Sequence, residues 1–211
     1  MLWKRRPEPG IDSWFYAAYV WAPDGSDATV TFEGAPGALG TDHDVPSQEG
    51  CKVCHMHVRD GIIGFSALQL SPSALSPLAR EGVFTDTPAS DLAVPGSGVV
   101  REALGYLHGN SGLCHNDRMN AVIKRTIRLE ILAADRSPEE TGAYTTTFHT
   151  KTFHSVEDGV DEAIVPGQPE RSQLYRRLVR TDFGRMPPKG TKLVDPTGSA
   201  FVRDWISGLP R

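Results

Sequence analysis

Apolar positions follow two different periods along the chain, and the change of period divides it. From residue 14 to 32 the pattern is β-like. Trp14-Phe15-Tyr16-Ala17-Ala18-Tyr19-Val20-Trp21 is aromatic and β-favouring, Pro23-Asp24-Gly25-Ser26 is a turn, and Ala28-Thr29-Val30-Thr31-Phe32 alternates as a second strand. Residues 34 to 50 are rich in Gly, Pro, Asp and Ser and read as a loop. Gly64 to Leu70 reads as a short helix ended by Ser71-Pro72, and 71 to 97 as an irregular, proline-rich linker with one helical turn around Leu75 to Arg80. The period then becomes helical. Val100, Ala103, Leu104 and Leu107 fall at i, i+3, i+4 and i+7 and predict a helix from Val99 to Asn110. Residues 120 to 134 have mixed helical and extended character, and 147 to 154 form a β-like run. Glu170 to Arg180 reads as helical, with Leu174, Tyr175 and Leu178 on one face. The last helix, Gly198 to Gly208, carries Phe201, Val202, Trp205 and Ile206.

The chain has 211 residues, of which 39% are hydrophobic, enough for one large domain or two small ones. Its 21 glycines and 16 prolines predict many turns and few long helices. A formal charge of −4 with no basic block gives no sign of a nucleic-acid partner. No apolar run is long enough to span a bilayer.

The chemistry begins at Gly50-Cys51-Lys52-Val53-Cys54-His55. Two cysteines two residues apart, followed at once by histidine, are the attachment signature of c-type haem. Each thiol adds across one porphyrin vinyl group, and the adjoining His55 is then held under the iron as its proximal ligand. A zinc knuckle, a disulfide and chance are the competing readings. A structural zinc site needs four ligands, usually from a second Cys/His pair at similar spacing. A second, degenerate version stands at Ser111-Gly112-Leu113-Cys114-His115, with serine in place of the first cysteine. Serine cannot form a thioether, so three arrangements compete there. These are haem held by Cys114 alone, haem bound without a covalent bond or absent, and another metal on Cys114 and His115.

Residues 98 to 211 run in a definite order: a helix leading into Cys114-His115, further helices, the stiff loop Arg185-Met186-Pro187-Pro188, and a closing aromatic helix. That is the order of a cytochrome c domain, with His115 on one face of the iron and Met186 on the other. The expected fold is therefore mainly α: a cytochrome c-like helical domain with a small N-terminal β region and long irregular loops. The expected organisation is a β-rich segment at 1–50, the first haem-attachment segment and linker at 51–97, and the helical domain at 98–211.

The sixth ligand of the first haem is open. Met56 and His57 stand too close to His55, leaving His43, His108, Met119, His149 and His154 as candidates. Asp42-His43-Asp44 resembles a charge-paired histidine, but no nucleophile stands near it in sequence.

Several short motifs carry a family resemblance. Val20-Trp21 through Asp24-Gly25-Ser26-Asp27-Ala28-Thr29, Cys51 to His55 with Gly64 to Leu70, and Ala103 to Asn110 with Cys114-His115-Asn116 resemble those of bacterial diheme c-type cytochromes. So do Val165-Pro166-Gly167 through Tyr175 and Arg177, Met186-Pro187-Pro188 with Gly190, and Trp205-Ile206 with Leu209. The resemblance covers roughly residues 14 to 210. It implies an exported protein with two c-type haems, held at Cys51, Cys54 and His55 and at Cys114 and His115, with Met186 in the Met-Pro-Pro element. It supplies no substrate. It also implies a longer β-rich region before residue 14, so the chain reads as a truncated or accessory form.

The functional expectation is an exported electron-transfer cytochrome, more carrier than catalyst, with haem c as cofactor and a redox protein or complex as partner. The second haem would be attached by one thioether. A haem peroxidase or oxidase with an open iron position, a monohaem protein with a degenerate second site, and a zinc-binding module are the alternatives. Haem c is attached outside the bacterial cytoplasm, which implies a periplasmic or other extracytoplasmic location. Met1 to Gly10 has no apolar stretch of signal-peptide type, so a mature or trimmed chain, or an export signal elsewhere, is expected.

Overall fold

Trp14 to Trp21, expected as one aromatic strand, divides at Ala17. In this computed structural model, which describes residues 1–86, 92–123 and 126–211, β1 (Leu2–Lys4) pairs antiparallel with β2 (Trp14–Tyr16), while β3 (Ala18–Trp21) pairs antiparallel with β4 (Ala28–Thr31). The registers set Leu2 opposite Tyr16 and Trp21 opposite Ala28. The division has a physical cause. Successive residues of a strand face opposite sides, yet Tyr16 and Ala17 are both buried. The chain therefore changes sheet between them.

The first ribbon is tied to the loop after the Cys51–Cys54 segment through Asp60. Lys4 pairs with Asp60, and the Gly10 amide and Trp14 Nε1 donate to its Oδ1 at 2.9 and 3.4 Å. These partners, Lys4 first, hold the Asp60 carboxyl below its ordinary range.

Helix α1 (Gln48–His55) occupies part of the expected loop and carries the whole first motif. Ser47 caps it, its Oγ accepting from the Gly50 amide at 3.0 Å. Ser71-Pro72, expected as a stop, is instead the start of α2 (Pro72–Arg80): Ser71 is the N-cap, accepting from the Ala74 amide, and Pro72 fills the first helical position. The preceding Gly64 to Leu70 forms turns rather than a helix. Residues 87–91 of the expected linker lie outside the described residues.

The core belongs to two helices far apart in sequence. Helices α3 (Gly98–Asn110) and α7 (Pro196–Gly208) pack directly on one another. Ala103, Leu104 and Leu107 meet Val202, Trp205 and Ile206 in one buried cluster, which Leu129, Ile131, Ala143, Ile164 and Leu178 complete. Trp205 is fully enclosed, and its Nε1 donates to Tyr144 Oη at 3.0 Å. Shorter helices fill in between: α4 (Asp117–Ile123), α5 (Gly142–Thr147) and α6 (Gln173–Leu178). The β-like run expected around His149 and His154 has only isolated bridges, such as Phe148 to Ile164 and Lys151 to Glu162. The chain is thus a mixed fold, helices with small antiparallel sheets at the N-terminus. No described helix is long and apolar enough to cross a membrane.

The α3–α7 crossing depends on Gly198. A Cβ there would stand 1.9 Å from Tyr106 Cε2. Burial, and then the nearby Asp195, raise the Tyr106 phenol above its ordinary range. Asp195 also caps α7, accepting from the Thr197 and Gly198 amides at 3.0 Å each. Replacing glycine by alanine inside a helix ordinarily stabilises by about 1 kcal/mol; overpacking costs about 1–3 kcal/mol. We expect the second to win, so Gly198→Ala lowers the unfolding free energy in urea. A stabilised variant would show that the Tyr106 ring moves aside freely.

Candidate functional site

The second motif is a turn built onto the end of α3. The Ser111 and Gly112 amides close the helix by donating to the Leu107 carbonyl at 2.8 and 2.9 Å, and the His115 amide then donates to the Ser111 carbonyl at 2.8 Å. Two residues hold this turn that the sequence pattern gave no role. A Cβ at Gly112 would meet the His108 carbonyl oxygen at 2.7 Å and Glu130 Cα at 2.9 Å, so only glycine fits. Asn116 is buried. Its Nδ2 donates to the Gly112 and Leu113 carbonyls at 2.9 Å each, and its Oδ1 accepts from the Met119 amide at 3.0 Å. The His115 carbonyl accepts from the Leu129 amide at 2.8 Å, which ties the turn to the core.

This turn opens into a cavity of about 480 Å³ whose wall includes Ser111, His115 and Met186. The structure thus brings His115 and Met186, predicted from sequence as a pair, to one space. Leu107, Leu129 and Leu178 supply apolar wall. Phe153 and Phe183 also face the cavity and are 78% and 98% exposed, although burying such rings is strongly favourable. The Met186 loop is held by Arg177, which also lines the cavity. The Arg177 carbonyl accepts from the Met186 amide at 3.0 Å. Its guanidinium donates to the Gly184 carbonyl at 2.9 Å and the His154 carbonyl at 2.6 Å. Arg177 falls in the quoted Tyr-x-Arg motif, but nothing in the sequence assigns it this role.

The first motif has a different setting. His55 Nδ1 donates to the Gly61 carbonyl at 2.5 Å, and its ring stands edge-on to Tyr16 with centroids 5.2 Å apart. Such a bond fixes the tautomer and leaves Nε2 as the ligating nitrogen. Tyr16 is buried, and among the described residues no hydrogen-bond partner reaches its Oη. Burial, with smaller contributions from Asp60 and Cys51, pushes its phenol above the ordinary range. Burial likewise raises the Cys51 thiol. The cleft alongside, about 330 Å³, is polar and lined by Arg5, Arg6, Gln48 and Lys52 as well as Tyr16.

The second cysteines of the two motifs stand close enough to perturb one another: Cys114 holds the Cys54 thiol below its ordinary range, and Cys54, with burial, holds the Cys114 thiol above it. All three cysteines are free thiols. Sequence spacing cannot show this proximity, because it arises from tertiary packing.

The remaining candidates disperse. His43 is exposed, and the neighbouring Asp44 pairs with Lys192 at 2.8 Å. His149 pairs with Glu162 at 2.9 Å on the surface. His108 Nδ1 accepts from the Ile131 amide at 3.0 Å, and burial lowers its pKa, which keeps the ring neutral. Met56 is exposed. Met119 is half-buried on α4, and His57 is half-buried just after α1. His154 alone of these histidines lines the cavity. Among the described residues, no three His, Cys, Asp or Glu side chains gather as a metal site.

The residues at His115 fit a haem. Their cavity lies within the ~300–1,000 Å³ of typical cofactor pockets. It has apolar walls, a histidine, a methionine and uncovered phenylalanines; its arginines are already engaged, Arg177 with Gln173, Gly184 and His154, and Arg180 with Asp182. At His55 the ring orientation fits, whereas the neighbouring cleft is polar. No protein-family model, curated protein or solved structure matches the chain.

Proposed function

We propose that the chain is an exported c-type cytochrome that carries single electrons, alone or as a subunit of a redox complex, with a redox protein as partner. The observation that carries this reading is the apolar cavity at the end of α3, with both His115 and Met186 in its wall. Haem iron supplies the one-electron exchange between its ferrous and ferric states. The chain's own residues supply the rest. His115 offers a ring nitrogen from a turn fixed by Gly112 and Asn116. Met186 offers a thioether sulfur, a ligand that favours the ferrous state. Arg177 holds the Met186 loop. The α3–α7 core excludes water from one side of the cavity. At the first site Cys51 and Cys54 form the thioethers, and the Gly61 carbonyl orients His55.

A second reading has one specific observation in its favour. The apolar cavity belongs to the degenerate motif, while the cleft beside the intact one is polar. A monohaem protein using His115 and Met186 agrees with that. The mass and visible spectrum of the protein from a haem c-competent host decide between them. Two haems are expected; one supports the second reading, and none overturns both.

A further inference from the structure

The two N-terminal ribbons share one outward face. Successive residues of a strand point to opposite sides, and the registers set Trp3 opposite Phe15, Tyr19 opposite Val30 and Trp21 opposite Ala28. Two contacts join the ribbons on that side. The Phe15 and Phe32 rings meet edge-on with centroids 5.9 Å apart, and Tyr19 Oη lies 3.8 Å from Met1 Sδ. Met1, Trp3, Tyr19, Trp21, Val30 and Phe32 are 43–60% exposed. An aromatic side chain covers about 150–250 Å². The six therefore leave on the order of 600 Å² of mostly apolar surface in water, at the top of the ~300–600 Å² range for the largest patch on an ordinary monomer. A standard two-subunit interface covers about 800 Å² of each copy, which is the size of this face with its polar rim.

The rim carries opposite charges at its two ends. Lys4 stands opposite Trp14, so β1 runs out into Arg5 and Arg6 at the Trp14 end. The turn between β3 and β4, beyond Trp21, carries Asp24 and Asp27. The run from Trp14 to Trp21 separates the two ends. Arg5 lies over the Trp3 ring at 5.9 Å from its centroid. Asp24 accepts from Ser26, and Asp27 from the Ala28 amide. Among the described residues none of these four charges forms an ion pair, although Glu8 and Asp12 follow the arginines in sequence.

We propose that this aromatic face is a self-association surface, on which two copies of the chain meet about a two-fold axis. A two-fold contact is isologous, so one patch must complement itself. The rotation lays the Arg5 and Arg6 end of each copy against the Asp24 and Asp27 end of the other, and the rings close over one another between them. A different partner has to match both charges and the apolar strip, whereas a second copy matches them by construction. None of these residues lines the cavity at His115, so the association does not depend on the haem reading.

The test is sedimentation equilibrium of the full chain as purified, with a thiol reductant present because its three cysteines are free. Wild type is expected to dimerise with a Kd below about 100 μM, and the dimer loosens as salt rises. Trp3→Ser combined with Trp21→Ser weakens it at least about tenfold without moving the unfolding midpoint, since both rings are exposed. Charge reversal gives the sharper reading. Arg5→Asp with Arg6→Asp in one chain, and Asp24→Arg with Asp27→Arg in another, bring like charges together and leave each chain monomeric. Mixed in equal amounts, the two chains dimerise again, because both end contacts regain opposite signs. A wild type monomeric at about 100 μM, reversal variants that associate as wild type does, or a mixture that stays monomeric overturns the proposal. A monomeric wild type that sediments with phosphatidylglycerol vesicles overturns it too and assigns the face to a lipid surface.

Discussion

On the cytochrome reading proposed here, Met186→Ala is expected to lower the reduction potential of a haem at His115 by on the order of a tenth of a volt, and the ferrous iron then takes up carbon monoxide. The direction follows from ligand chemistry. A thioether sulfur is a soft donor that stabilises ferrous over ferric iron, and axial ligands span about 0.8 V across haem proteins. Alanine offers no donor, so the position falls open to water or to an added ligand. The structure makes the substitution mild for the fold, because the Met186 amide-to-Arg177 bond and the bonds of the Arg177 guanidinium remain. Redox titration with carbon monoxide difference spectra reads the outcome. An unchanged potential and no carbon monoxide band would show that another residue holds the iron. His154, which lines the same cavity, is the first to test. In the wild type, ready carbon monoxide binding at the other haem would favour a peroxidase or oxidase role.

What could be read in the sequence follows the range of the forces involved. Helices α3 and α7 are legible because their apolar residues repeat at helical spacing, and the same residues, Leu104, Leu107, Val202 and Ile206, form the core. Their ends are set by local chemistry, so the Asp195-Pro196 cap moves the start of α7 two residues ahead of the expected Gly198. Helix α1 is missed because its only signals are the Ser47 cap and a helix-tolerant run with few apolar residues. Ser71-Pro72 misleads because the same pair ends one helix or begins the next, and only the following residues decide. Met186 and His115 are visible one at a time through short motifs. The cavity that joins them is not, since its wall is drawn from Leu107 through Met186. Arg177 and Asn116 escape for the same reason: their partners are backbone carbonyls and amides that no side-chain pattern announces.

On the two-haem reading proposed here, Cys114→Ser is expected to release the haem of the second site into acid-acetone, while a haem on Cys51 and Cys54 stays with the chain. The wild type releases neither. The argument rests on Ser111, which is buried in the cavity wall at the position where an intact motif has its first cysteine. A hydroxyl does not form the thioether, so one vinyl group remains conjugated with the porphyrin, and covalent attachment hangs on Cys114 alone. The wild-type alkaline pyridine spectrum of that haem then falls between protohaem and a doubly attached haem. Ser111→Cys exchanges only the hydroxyl oxygen for sulfur, and it shifts that spectrum to the doubly attached position. Two outcomes would sink the single-thioether reading. If wild-type protein yields one haem to acid-acetone, the second site is non-covalent. If it yields none and the spectrum shows two fully saturated haems, the second vinyl group is consumed by something other than a cysteine thioether, since three cysteines supply only three.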